Sequence, residues 1–350
     1  MAMGISVSSN VNLGEPAKIS ALRVRRTYCL LRQFGQAVHL LISSHPILPG
    51  GAMRKLQRIV CPIDFSEFSI RAYRYALSVA YRYRARLFVQ HVVELWKYPY
   101  ADVAAYLGDY DETCRILRKG GEEQLQQFLK TSANDEVQPE YVVDQGMAPD
   151  CILAFAEAQK ADLIVMGTHG RRGFDRLVLG SVTERVMRNA SCPLLAVNKP
   201  LHDLIESDKL PSAIHLSRIL FCTDFSENSR QALSHALSLR TEYNAELTLL
   251  HVVEDMRDSA KLEQALATTA AKQLRDLIPQ DTNTNDKCKI TTMVRVGTAY
   301  RQVLQVALET QTDLVVMAVR GRGSLDLAMF GSTTHRILQF GTCPVFLVHV

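Results

Sequence analysis

The chain has 350 residues, 47% hydrophobic and 22% charged, with a net charge of +4. That length suits about two ordinary domains, and no apolar run approaches the roughly 18–20 residues that span a bilayer. The charge is lodged at one end: residues 1–53 hold Lys18, Arg23, Arg25, Arg26 and Arg32 against Glu15 alone, so 54–350 carry equal numbers of acids and bases. A neutral body excludes a general nucleic-acid groove, which needs a basic face. The eight cysteines form no CxxC pair and no zinc-ligand spacing with histidine, and they read as buried, reduced thiols in a cytoplasmic protein.

Residues 1–53 read as a disordered extension or an over-long start, with Met53 a natural beginning, and stand outside the fold argument. From Arg58 strands and helices alternate. Ile59–Ile63 is a short apolar strand; Asp64-Phe-Ser-Glu67 follows, with Ser66 a helix N-cap and a helix over 69–82. Leu87–Val93 is a second strand. A long connection carrying Trp96, Tyr98, Pro99 and Tyr100 leads to a helix over 113–130. A strand at 140–143 and a helix at 149–159 come next, with Pro149 suited to a first turn. Asp162-Leu-Ile-Val-Met166 leads into Gly167-x2-Gly170-x9-Gly180-Ser181, a helix leaves over 182–188, and the unit closes on a strand at 193–197. Such alternation implies parallel strands covered on both faces.

The pattern then repeats. Arg218-Ile-Leu-Phe-Cys-Thr-Asp-Phe-Ser-Glu227 matches Arg58–Glu67, and His251-Val-Val-Glu254 matches His91–Glu94, both 160 residues on. Later landmarks sit 151 on: Gly146 and Gly297, Asp162 and Asp313, Cys192-Pro193 and Cys343-Pro344. The second copy lacks nine residues in the connection that carries Trp96, where deletion is cheap. The chain therefore divides into 54–199, a linker at 200–217, and 218–350.

The glycine stretch carries the chemistry. Glycines between a buried strand and a helix start let the backbone approach a phosphate closely, and the helix's first turn offers unpaired N–H groups at the positive end of its dipole. Ser181 and Thr183 can add hydroxyls. Glycines serving only as turn punctuation are the plain alternative. There is no GxxxxGK[ST] loop, and Asp175 in the glycine stretch has no obvious partner for holding a metal or a water. That points to a binding protein rather than an enzyme, with slow hydrolysis left open.

Both copies resemble the universal stress protein family, on the Asp-Phe-Ser-Glu and His-Val-Val-Glu pieces, the glycine loop and the Cys-Pro before the last strand. The resemblance implies two tandem doubly wound α/β domains with five-stranded parallel sheets, similar to adenine-nucleotide α-hydrolase-like folds, in strand order 3-2-1-4-5. It implies a stress-response role and ATP or AMP, with Mg2+ as an optional companion, bound where strand order reverses. The adenine side would be Pro62, Ile63, Asp64 and Val92. The ribose and phosphate side would be Met166, Gly167, His169, Gly170, Gly180, Ser181, Val182 and Thr183. The family often has Thr where Ile63 stands. A weaker second site would hold Asp224, Val252, Arg320, Gly321, Gly331, Ser332 and Thr334. There Ala318 replaces the first glycine, and a methyl at a position needing positive φ or close phosphate approach costs on the order of 1 kcal/mol. Copy one is thus expected to bind nucleotide well and copy two weakly or not at all. His91 and His251 are expected to pack or satisfy backbone.

By the same resemblance the last strand of each copy ends at a sheet edge and pairs with its counterpart inside the chain, around a pseudo-two-fold axis, with a homodimer left open. A nucleotide-independent interaction module, using the Trp96 connection, and a thiol sensor at Cys61 or Cys222 are the other readings.

Overall fold

A computed structural model describes residues 56–95, 110–132, 136–170, 179–198, 205, 211, 214–254, 260–278, 289–320 and 331–349. The Trp96 connection, Asp175, Gly321, residues 1–53 and most of the linker lie outside the described residues.

The first half runs β1 (Arg58–Pro62), α1 (Glu67–Tyr83), β2 (Arg86–Val93), α2 (Tyr110–Thr131), β3 (Glu140–Gln145), α3 (Ala148–Ala158), β4 (Leu163–Gly167), α4 (Ser181–Asn189) and β5 (Leu194–Val197). The second half repeats it as β6 (Arg218–Cys222), α5 (Glu227–Tyr243), β7 (Glu246–Val253), α6 (Ala260–Asp276), β8 (Ile290–Val296), α7 (Ala299–Glu309), β9 (Leu314–Ala318), α8 (Ser332–Phe340) and β10 (Val345–Val348). The helix α1 starts two residues before the sequence reading placed it. Ser66 caps it as expected, its side chain accepting from the Ser69 N–H. β3 runs two residues longer than its apolar stretch because Asp144 and Gln145 still pair with Val92 and Val93.

Ten strands form one sheet in the order β3-β2-β1-β4-β5-β10-β9-β6-β7-β8. Each half therefore has the order 3-2-1-4-5, reversed between its first and fourth strands. Successive strand residues point to opposite faces, the period-2 rule of a pleated strand. Ile59 and Cys61 join one core layer with Leu77 of α1, Leu125 of α2 and Leu239 of α5, whereas Val60 joins the other with Ile152, Val186, Val306 and Leu338 of α3, α4, α7 and α8. Burial on both faces is why these strands read as unbroken apolar runs.

The halves meet through β5 and β10, paired antiparallel. Leu195 stands opposite Phe346, its own counterpart 151 residues on, with Ala196 opposite Val345 and Leu194 opposite Leu347. A residue facing its own equivalent marks a two-fold axis. The side-chain contacts obey it. Asn198, after β5, donates to the Gly341 carbonyl at the end of α8 (2.6 Å), and His349, after β10, reaches the Met187 carbonyl of α4 (2.6 Å). On the opposite face the C-termini of α1 and α5 meet. Tyr83 donates to the Glu242 carboxylate (2.7 Å) and the Arg82 guanidinium lies 4.2 Å from the centre of the Tyr243 ring. The last strands, apolar edges within each copy, are thus central to the sheet, which removes the exposed edge.

The repeat extends to details outside any ligand site. Asp162 Oδ2 accepts from the N–H groups of Gln57 and Arg58, and Asp313 Oδ2 accepts from those of Ser217 and Arg218. These aspartates fix the start of the first strand beside the fourth in each half.

Candidate functional site

The carboxyl ends of β1 and β4 lie side by side, since Ile59 and Val60 pair with Leu163 and Ile164. At this reversal the crossovers leave to opposite faces and a crevice opens. Pro62 and Ile63 are buried beneath its floor. The Ile63 N–H donates to the Gln90 carbonyl (2.8 Å), and His91 Nδ1 lies 2.8 Å from the Ile63 carbonyl. A carbonyl only accepts, so the His91 proton sits on Nδ1. His251 makes the same 2.8 Å contact with the Thr223 carbonyl. Both histidines serve the backbone, as expected.

Asp64 follows. Its Oδ1 accepts from the Ser66 N–H (3.0 Å) and hydroxyl (2.6 Å), a local turn that precedes α1. Its Oδ2 points across to β4's loop: a Cβ built on Gly170 would sit 2.9 Å from it. Phe65 then takes φ = 62°, and Phe225 repeats it at 61°. A bulky residue in the left-handed region is strained; here the ring is held against His91 at 4.8 Å and Phe128 at 6.0 Å. No sequence signal marks a phenylalanine for positive φ, apart from its recurrence.

On the β4 side, Met166 is buried with its side chain in the layer under α4, leaving only its backbone for the crevice. Gly167 is required for a reason other than phosphate. A Cβ there would come within 2.8 Å of the Phe68 backbone carbon, so the glycine lets α1 start against the strand end. Among the described residues the glycines with positive φ are Gly146 and Gly297, so the conformational cost expected at the Gly167 and Ala318 position does not arise. In the second half Asn228 stands where Phe68 does, and its side chain donates to the Arg320 carbonyl (3.4 Å).

Gly180 and Thr183 lock α4 onto the strand end. The Gly180 N–H donates to the Thr168 carbonyl (3.0 Å) and the Thr183 hydroxyl to the Gly167 carbonyl (2.8 Å). Thr183 is buried, so its hydroxyl is a clamp rather than a donor for a ligand. Exposed Ser181 and half-buried Val182 form the first turn, whose N–H groups have no helical carbonyl behind them. The resemblance puts His169 on the ribose and phosphate side. It is buried, its ring tilted against Phe68 with centres 4.9 Å apart, with Nδ1 on the Thr168 hydroxyl (2.9 Å) and Nε2 without a hydrogen-bond partner. Burial pushes its pKa below the usual imidazole value. Phe68 and Thr168 are the residues that sequence reasoning missed. Val92, half-buried on β2, packs into the layer beneath the crevice.

The second half keeps the frame with looser joints. Asp224 takes the Ser226 N–H (3.0 Å) and hydroxyl (2.6 Å), and Val252 packs as Val92 does. Thr223 replaces Ile63, but its buried hydroxyl is spent on the Phe225 N–H (3.0 Å) and Ser229 (2.9 Å). At Gly331 a Cβ would meet Thr334 at 3.6 Å and the Val319 carbonyl at 3.9 Å, against 3.2 Å from the Thr168 carbonyl at Gly180. Among the described residues no bond from Gly331 or Thr334 repeats the clamp. Ser332 opens α8, and Arg320, two residues past the end of β9, is half-buried.

Cys61 is fully buried, and burial raises the pKa of Cys61 and Cys222 far above that of a free thiol; Cys192 and Cys343 are pushed up to about 12. A sensor needs an accessible thiolate, so buried Cys61 argues against the thiol reading, while Cys222 is half-buried with its thiol held protonated. Among the described residues no three His, Cys, Asp or Glu side chains gather around a metal position, and no helix is long and apolar enough to cross a membrane.

Fold and site together define a tandem pair of doubly wound domains, each opening a crevice at its own strand-order reversal. The model of the universal stress protein family matches residues 55–198 and 215–349, and the chain belongs to that family. It is 37% identical over 144 residues to a universal stress protein of Methanocaldococcus jannaschii, covering 41% of this chain and 83% of that one. A universal stress protein of Mycolicibacterium smegmatis is 27% identical over 302 residues, 83% of this chain and 96% of its own. Among solved structures, one from Archaeoglobus fulgidus superposes with a TM-score of 0.61 at 21% identity, over 83% of this chain and 98% of that one, which supports the fold.

Proposed function

We propose that the protein is a cytoplasmic adenine-nucleotide-binding regulator of the stress response, that it binds rather than turns over its ligand, and that the first half carries the working site. The observation behind this reading is the meeting of Asp64 Oδ2 with Gly170 across the β1–β4 reversal, next to the first turn of α4. A carboxylate oxygen faces a backbone with no side chain in the way. Adenosine hydroxyls or amine would donate to that oxygen, and the phosphates of ATP or AMP would take the Ser181 and Val182 N–H groups. Mg2+ would enter with the phosphates. Copy two is the weaker binder because its clamp is open, not because Ala318 is strained.

Asp64→Asn separates site from scaffold. Asparagine keeps the Oδ1 acceptor that Ser66 needs and replaces the second oxygen with a donor. Calorimetric titration of the full chain with ATP is expected to show affinity lowered about tenfold or more, which corresponds to ~1.4 kcal/mol, with the thermal midpoint little changed. Equal affinity in the variant would remove Asp64 from the site. No ATP or AMP binding to the unaltered protein would instead favour a nucleotide-independent interaction module.

A further inference from the structure

The two halves are internal controls for each other, and one surface differs between them. In the first half α3 and α4 begin side by side with an acid in each first turn, Asp150 and Glu184. Each acid has a basic partner: Arg185 meets Asp150 at 2.8 Å, and Arg188 meets Glu184 at 2.5 Å. The patch is neutral.

In the second half the four positions 151 residues on are Arg301, His335, Arg336 and Gln339. Neither α7 nor α8 has an acid in its first turn. Arg301 stands where Asp150 would have neutralised the arginine of the neighbouring helix. The two guanidiniums gather instead on one phenol. Arg301 Nε donates to the Tyr300 hydroxyl (3.1 Å), and the guanidinium carbons of Arg301 and Arg336 lie 5.9 and 4.7 Å from the Tyr300 ring centre. Among the described residues no carboxylate pairs with either. Tyr300 is half-buried and both arginines are exposed. Two like charges held on one ring without a counter-ion repel each other, and a doubly charged oxyanion between them would convert that repulsion into charge-assisted hydrogen bonds.

We propose that Tyr300, Arg301 and Arg336 form a phosphate-binding surface, peculiar to the second half, that takes a phosphate dianion, free or carried on a phosphorylated side chain. It lies on α7 and α8 of the second half, apart from the nucleotide crevice proposed for the first half, and does not require that crevice to be occupied.

The test is a calorimetric titration of the full chain with inorganic phosphate at low ionic strength, with and without Arg301→Asp. That variant installs the acid that the first half carries at the same place, so the Asp150–Arg185 pair is a precedent for its folding, which circular dichroism checks; Arg336→Gln is the second variant. Millimolar binding that weakens more than tenfold in R301D, and weakens in R336Q, is the expected result. A parallel titration with a phosphoserine peptide and its unphosphorylated form tells the two sources apart, and in either case the binding must collapse in R301D. Binding unchanged by both variants, or no binding of either probe to the unaltered protein, overturns the proposal. ATP affinity, measured alongside, is expected to be the same in R301D.

Discussion

Asp64 divides its work between its two oxygens. Oδ1 holds the turn into α1 through Ser66, and Oδ2 faces Gly170. Holding the turn and contacting a ligand are therefore compatible roles for this residue. Other polar side chains near the crevice are committed inward. Thr183 and Thr223 spend their hydroxyls on the scaffold. Three histidines, His169, His235 and His349, have pKa values lowered by burial. Each is charged more readily in the unfolded chain than in the folded one. The unfolded state thus binds more protons below the ordinary imidazole value of about 6.5. Stability is full above that pH and is lost as pH falls through it toward the lowered folded-state values. The thermal midpoint is expected to drop between pH 7.5 and pH 5. His235, whose Nδ1 is buried without a partner beside Phe346, makes a clean test. His235→Phe is expected to flatten the profile, as read by thermal melts across that range. A profile as steep as the wild type's would assign the acid sensitivity elsewhere.

At the scale of elements, the glycine loop is a packing device before it is a ligand device. Gly167 admits the first turn of α1, and Gly180 with Thr183 ties α4 to the end of β4. Gly167→Ala would press a methyl against the Phe68 backbone, which has no flexible end to yield, at a cost of about 1–3 kcal/mol. Ala318→Gly, the reverse change in the second half, removes one methyl and costs ~0.5–1 kcal/mol through backbone entropy. Chemical denaturation of the two variants checks the order; equal costs would contradict the close approach at Gly167. This is also where the sequence was most and least legible. Strand alternation and the Ser66 cap were readable because each follows a local rule, whereas Asp162 and Asp313 were readable only as landmarks of the repeat, since the N–H groups that they hold belong to a distant part of the chain. The role of Gly167 was not, because the atom it makes room for belongs to Phe68, about a hundred residues earlier. The burial of His169 was illegible for a similar reason: Phe68 packs against its ring, a contact that no spacing in the glycine stretch encodes.

At the scale of the whole molecule, duplication built a two-fold dimer within one chain and then let its halves diverge. The axis at Leu195 and Phe346 is occupied by equivalent residues, and a small apolar cavity of about 50 Å³ lies between the halves, lined by Tyr83, Tyr243, Leu239 and Phe346 among others. Pairing of the last strands followed from the family resemblance; its register did not, since it is set by contacts between halves. Divergence lies at the crevices and the faces beside them: a clamped α4 against a looser α8, and a neutral patch against a basic one. With the crevices diverged, one working nucleotide site per chain is expected, in the first half. The most direct measurement is to denature freshly purified protein and quantify released adenine nucleotide by anion exchange, wild type beside Gly170→Val, whose side chain would meet Asp64. About one nucleotide per chain from the wild type and none from the variant is the predicted result. Two per chain from the wild type, or an unchanged yield from the variant, would contradict it.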